Sequence, residues 1–309
     1  MKTIAVEETV VKRKLTFGQW MNTDTVAGYV FALPFIVGFL AMMAVPMLLS
    51  FYYSFTDFNM LTSPTFIGFD NYVRMWNDMR FRNSVSVTFR FVFFSVPVRL
   101  VFGLMLAYVL TRKTKGVHFY RSIYYLPTLI GGSIAVALVW GQLFQNQGVI
   151  NVMLGAFGLD GVNWFGNPNN ALWPLIFMSV WQFGSSMIIF AAGLKDIPET
   201  YYEAAEIDGA NKWRIFFSIT IPCLTPIILY NLVMQTIAAF MTFTQAFIIT
   251  GGGPADSTNF LALYIYNHAF NWFNMGYASA MSWVLLTMVG VSTAFIMWTS
   301  KKWTFYANE

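Results

Sequence analysis

Asn231, Gln235, Thr242 and Gln245 recur in an otherwise apolar run at spacings that keep them within about 80° of one helix face. A second set, Trp181, Gln182, Ser185 and Ser186, gathers in the apolar run before it, beside Phe183. Amides next to aromatic rings suit a polyhydroxylated ligand. Neighbouring hydroxyls take paired hydrogen bonds, and the C–H face of a sugar ring packs on an apolar plate. The same groups also join helices through interhelical hydrogen bonds, the reading favoured for Ser185 and Ser186. Arg90 and Arg99 add two cations to an earlier apolar run. Arg90 is close enough to an end to reach water. Arg99 sits deeper, after Pro97 and on the other side of the helix, where it faces either an anion or a neighbour's carbonyls, the latter being favoured.

A different chemistry is offered by the polar stretch 196–222, DIPETYYEAAEIDGANKWRIFFSITIP, which interrupts two long apolar runs. Pro198 suits the first turn of a helix. Glu199, Glu203 and Glu206 then follow at i, i+4 and i+7, which puts three carboxylates on one face near the positive helix end. Gly209 ends that helix. Trp213, Phe216, Phe217 and Ile221 make a second, amphipathic helix that rests on the bilayer, and Pro222 opens the next apolar run. The expected element is a helix, a glycine turn and a helix at the membrane surface.

Enzyme chemistry finds no such support. His118 and His268 are isolated from any Cys or carboxylate at metal-ligand spacing, so no metal site and no catalytic set is read. The run Gly251-Gly252-Gly253-Pro254 lacks the Lys-Ser/Thr of a phosphate-binding loop and reads as a flexible turn. Cys223 is the one cysteine and reads as an inert thiol.

The elements that must position these groups are membrane helices. Of 309 residues, 57% are hydrophobic and 10% charged, and the apolar residues form runs long enough to cross a bilayer. An all-α fold with six spans is predicted, at 26–55, 85–110, 124–144, 171–194, 223–250 and 277–298. The tails 1–25 and 299–309 flank a single domain over 26–298. Segments on the side of the termini carry thirteen Lys and Arg, against Arg74, Arg80 and Arg82 on the other. Both termini and the 196–222 stretch are therefore expected in the cytosol. The net charge of +4 reports this topology and does not imply nucleic-acid binding. The first span is too long for a signal-peptide core and is expected to stay as an anchor. Lys12-Arg13-Lys14 with Phe17 and Trp20 reads equally as an interfacial segment or a disordered tail.

EAAEIDGA, followed by Phe216 and the Ile-Thr-Ile-Pro of 219–222, resembles the signature loop of binding-protein-dependent ABC importer permeases. TGGGPADST and the segment after it resemble the carbohydrate-uptake subgroup, as does the Asp-Asn-Tyr entry at 70–72. In the second outer loop the chain departs from the maltose-transporter member, which carries a large extra domain there. The resemblance implies that Glu203, Ala204, Ala205, Asp208, Gly209 and Ala210 form an ATPase-coupling element. It also implies a heterodimer with a second permease, two ATPase subunits holding ATP and Mg, and an extracytoplasmic binding protein that brings a sugar or oligosaccharide to a bacterial inner membrane. Trp181, Gln182, Asn231, Gln235, Thr242 and Gln245 are then the candidate substrate pathway, and the third outer loop a contact for the binding protein. The rival is an ATP-independent secondary transporter or channel. Such a protein should show inverted repeats or carboxylates in its spans, and no acidic residue falls inside the six.

Overall fold

A computed structural model of the chain describes residues 24–111 and 116–305. The N-terminal basic segment, Arg112, Lys113, Lys115 and the last four residues lie outside them. The chain divides into Met1–Tyr52 and Tyr53–Glu309. In the first unit a helix, Asp24–Phe39, passes through a π-helical turn, Leu40–Ala44, into the helix Val45–Tyr53. It is the first predicted span, two residues shorter at its end.

Among the described residues, four helices are long and apolar enough to span a bilayer, and two bent helix pairs bring the number to six. The second span, Met79–Thr111, is the longest helix and the frame of the larger unit. The fourth span packs along it because Gly103 carries no side chain. A Cβ there would sit 3.2 Å from Ser186 Cβ and 3.3 Å from the Met187 nitrogen. Close approach through small residues is how helices associate where lipid removes the hydrophobic drive. Phe91, Leu100, Leu175, Met187, Phe190 and Leu224 fill the core between the second, fourth and fifth spans.

Three spans differ from the uninterrupted helices predicted. The third is Val117–Ile130 and Ile134–Leu143, bent by 99° at a Gly131-Gly132-Ser133 break. Glycines lower the cost of leaving the helix, and the Ser133 hydroxyl caps the second half by accepting from the Val136 nitrogen. The fourth, Leu172–Trp181 and Gly184–Asp196, bends by 40° at Gln182 and Phe183. The fifth runs unbroken from Lys212 through a π-helical turn, Phe216–Thr220, to Phe240. No separate surface helix precedes it, because the π-helical turn carries the chain directly into Ile221–Phe240 and takes Pro222 into the continuous helix. That helix ends at Met241, and Phe243 leaves the helical basin before the short helix Thr244–Ile249. The sixth span is Met275–Ser300.

Candidate functional site

The broken spans enclose a cavity of about 500 Å³. Its wall takes Phe91 and Arg99 from the second span, Thr128 from the third, Gln182 and Ser185 from the fourth, and Asn231, Gln235, Thr242 and Gln245 from the fifth. Two of these, Gln182 and Thr242, sit in the breaks themselves. Irregular backbone at membrane depth is tolerated where it lines a cavity or is enclosed by protein, because its carbonyls must find partners. The Gln182 carbonyl accepts from Arg99 Nη2 at 2.6 Å and Thr128 Oγ1 at 3.1 Å, and its amide nitrogen reaches the Gly131 and Met178 carbonyls at 3.4 Å. The breaks of the third and fourth spans are thereby tied together. Arg99 caps a carbonyl, as expected, yet it also lines the cavity.

The sequence-predicted amides separate by their partners. Gln235 Nε2 donates to Ser186 Oγ at 3.0 Å and lies 3.5 Å from Ser185 Oγ, so it joins the fourth and fifth spans. Asn231 is fully buried. Its Nδ2 donates within the helix to the Ile227 carbonyl at 3.1 Å, and its Oδ1 has no partner. The single-face arc does not extend past Phe240, because the helix stops there. Thr242 and Gln245 reach the cavity from the break and the short helix beyond it. Trp181 is not in the wall. Its ring packs against Trp140 at 5.6 Å.

The polar stretch folds as a helix, Glu199–Ile207, a turn and a second helix from Lys212. Pro198 caps the first helix rather than entering it. Gly209 has φ +73°, its nitrogen donates to the Glu206 carbonyl at 3.0 Å, and the Ala210 nitrogen donates to the Ala205 carbonyl at 2.9 Å. That pair of bonds is a Schellman closure, which requires the left-handed residue that glycine supplies. The Asn211 side chain, absent from the predicted set, caps the next helix by accepting from the Arg214 nitrogen at 2.8 Å. Tyr202 OH and Thr220 Oγ1, 3.2 Å apart, close the two helices on each other. Glu203, Ala204, Asp208 and Gly209 are exposed, as is Ile207, while Ala205 and Ala210 are half-buried.

On the opposite side of the spans the connecting loops are pinned. Arg80 and Asp256 form a bidentate pair with both contacts at 2.8 Å, and Asn83 Nδ2 donates to the Asp256 carbonyl at 2.8 Å. Thr258 Oγ1 lies 2.7 Å from both Thr250 Oγ1 and the Gly253 carbonyl. The glycine-rich run is thus a braced turn, and the expected flexible one is corrected by these partners. Asn71 Nδ2 bridges the Ser54 and Thr56 carbonyls at 2.9 and 3.0 Å, which gives the Asp-Asn-Tyr entry a structural role. In the loop between the third and fourth spans Trp164 donates to Asn151 Oδ1 at 3.0 Å and packs edge-on against Phe144. Asp78 accepts from the Tyr264 and Tyr277 hydroxyls at 2.7 and 2.8 Å. Burial opposes this carboxylate, but the hydroxyl donors outweigh it and hold its carboxyl below the usual range. Burial, then the nearby Arg74 guanidinium, push the His268 imidazole down to about 4.

Residues 23–302 match the family described as "Binding-protein-dependent transport system inner membrane component". The chain is 51% identical, over 94% of its length and 95% of the relative's, to the "Probable ABC transporter permease protein YesP" of Bacillus subtilis (strain 168). It is 33% identical to the "Trehalose/maltose transport system permease protein MalF" of Thermococcus litoralis, over 85% of this chain and 88% of that one. With the "Multiple sugar-binding transport system permease protein MsmF" of Streptococcus mutans it shares 34% identity over 83% and 89%. A solved structure, the "Crystal structure of a bacterial ABC transporter involved in the import of the acidic polysaccharide alginate", has the same fold, with a TM-score of 0.72 at 23% identity, covering 89% of this chain and 95% of that one.

Proposed function

Because the chain belongs to the binding-protein-dependent transport system inner membrane components, we propose that it is the permease subunit of an ATP-driven sugar importer whose substrate passes the cavity at the span breaks. The sugar-system names of the relatives support the substrate class. What carries the pathway reading is a pair of orphaned atoms. Asn231 Oδ1, an acceptor, and Arg99 Nε, a donor, are both buried without partners on residues that line one cavity. Each unmatched group costs about 1–3 kcal/mol, which a bound substrate repays once alternating access uncovers the two atoms. Thr242 and Gln245 continue the polar wall.

The 196–222 element is the coupling piece in this reading. Glu203, Ala204, Ala205, Asp208, Gly209 and Ala210 dock on a separate ATPase subunit that holds ATP and Mg, and Tyr202 with Thr220 transmits that movement to the fifth span. A second permease completes the pathway, a pair of ATPases sits on the cytosolic side, and a binding protein delivers sugar to the outer loops. The excess of Lys and Arg on the side of the termini supports a cytosolic location for both.

The test is uptake and assembly measured together in the reconstituted complex. Asn231→Leu and Gln245→Leu should weaken transport affinity in complexes that remain intact. Unchanged affinity in both, with assembly intact, rules out this cavity as the route.

A further inference from the structure

Among the described residues, Arg99 carries a charge that no carboxylate balances. Its Nη2 donates to the Gln182 carbonyl at 2.6 Å, at the C-terminal end of Leu172–Trp181, so one N–H answers the negative end of that helix. The position is explained by that bond, but the charge is not. No Asp or Glu lines the cavity, and the ion pair found among the described residues, Arg80 with Asp256, belongs to the outer loops. A guanidinium does not lose its proton in a protein, and a partly buried charge without a counter-charge is destabilising until one arrives. Arg99 lines the cavity with one N–H bonded to protein through Nη2, so the guanidinium keeps donors for that counter-charge.

We infer that the sugar carried is acidic and that Arg99 receives its oxyanion, with a carboxylate as the group a planar guanidinium fits best. This rests on the pathway reading above and narrows it. Thr242 and Gln245 on the same wall offer neutral polar groups, so the cavity presents a site for an anion beside sites for hydroxyls. Arg90 supplies an internal control. It lies nine residues earlier, about half a turn round the helix, and lines a separate outer recess with Asn83 and Trp173.

The test uses the purified complex of both permeases and the ATPases without its binding protein, so that selectivity belongs to the membrane subunits. The probes are a pool of uronic-acid oligosaccharides and the same pool after carboxyl reduction, with retained sugars identified by mass spectrometry. The unaltered complex is expected to retain the acids about ten- to 100-fold better than their neutral counterparts, the range for a hydrogen bond to a charged group. Arg99→Gln should abolish that ratio, and Arg90→Gln should leave it alone. Arg99→Lys, which keeps the charge, should preserve part of it, and it remains informative if Arg99→Gln does not assemble. Equal or better retention of the reduced pool, with a ratio that no Arg99 variant moves, overturns the inference and leaves the pathway reading standing. Retention of neither pool overturns both.

Discussion

Asn231 and Gln235 lie four residues apart on the fifth span and line the same cavity, yet their surroundings assign them different work. Asn231→Leu removes an acceptor that has no protein partner, so the thermal stability of the complex should hold or rise. Substrate affinity should fall about five- to 150-fold, as 1–3 kcal/mol of hydrogen bonding to substrate is lost. Gln235→Leu instead strands the Ser186 hydroxyl in a core with no exposed surface. That variant should lower stability by about 1 kcal/mol, with affinity in surviving complexes little changed. Thermal melts and transport affinity on both variants check the split, and the reverse pattern would exchange the two roles. Their polarity within an apolar run made both residues legible in the sequence, whereas their difference depends on which neighbour comes within 3 Å. Trp181 shows the converse. Adjacency to Gln182 suggested the cavity wall, but neighbouring residues on a helix point about 100° apart, and Trp181 packs on Trp140 instead.

At the scale of elements, the glycine turn of the 196–222 stretch and the outer braces each make a prediction. Gly209→Pro forbids the positive φ that the Schellman closure needs, and Glu203→Lys reverses an exposed charge on the same helix. Both should leave the permease inserted while substrate no longer stimulates ATP hydrolysis; full stimulation in both would sink the coupling role. In the loops opposite that stretch, the His268 imidazole is held down to about 4 against an ordinary value near 6.5. Between those values the unfolded chain binds more protons, so the stabilising contribution is complete above about 6.5 and lost as pH falls towards 4. The lowered Asp78 carboxyl acts in the same direction at lower pH, since its contribution also disappears on protonation. Melting temperature should therefore fall on acidification from pH 7 to 4.5, and more gently in His268→Phe. Equal slopes would remove His268 from the account. The sequence announced these elements unevenly. Gly209 between charged helical residues predicts a turn, while Asn71 and Asp78 are ordinary loop polar residues until their distant partners are known.

For the whole molecule, apolar run length was enough to count the spans, because bilayer thickness fixes how many residues a helix needs. The third span's break was legible at Gly131-Gly132, but those of the fourth and fifth spans were not, since Gln182-Phe183 and Met241-Thr242-Phe243 contain neither proline nor glycine. The bends follow from tertiary bonds such as Arg99 to the Gln182 carbonyl, and local propensity does not encode them. The breaks nevertheless create the cavity, so the central claim is that substrate passes where the spans are interrupted. Replacing Cys223, the chain's one cysteine, by Ala and placing Cys singly at Asn231 and Gln245 gives a direct measurement of that claim. The quantity is the rate at which a water-soluble thiol reagent labels each Cys in the reconstituted complex, with and without ATP and transported sugar. The account predicts that labelling changes sides with ATP and is slowed by the sugar. Labelling indifferent to both, in a complex that still transports, would contradict it.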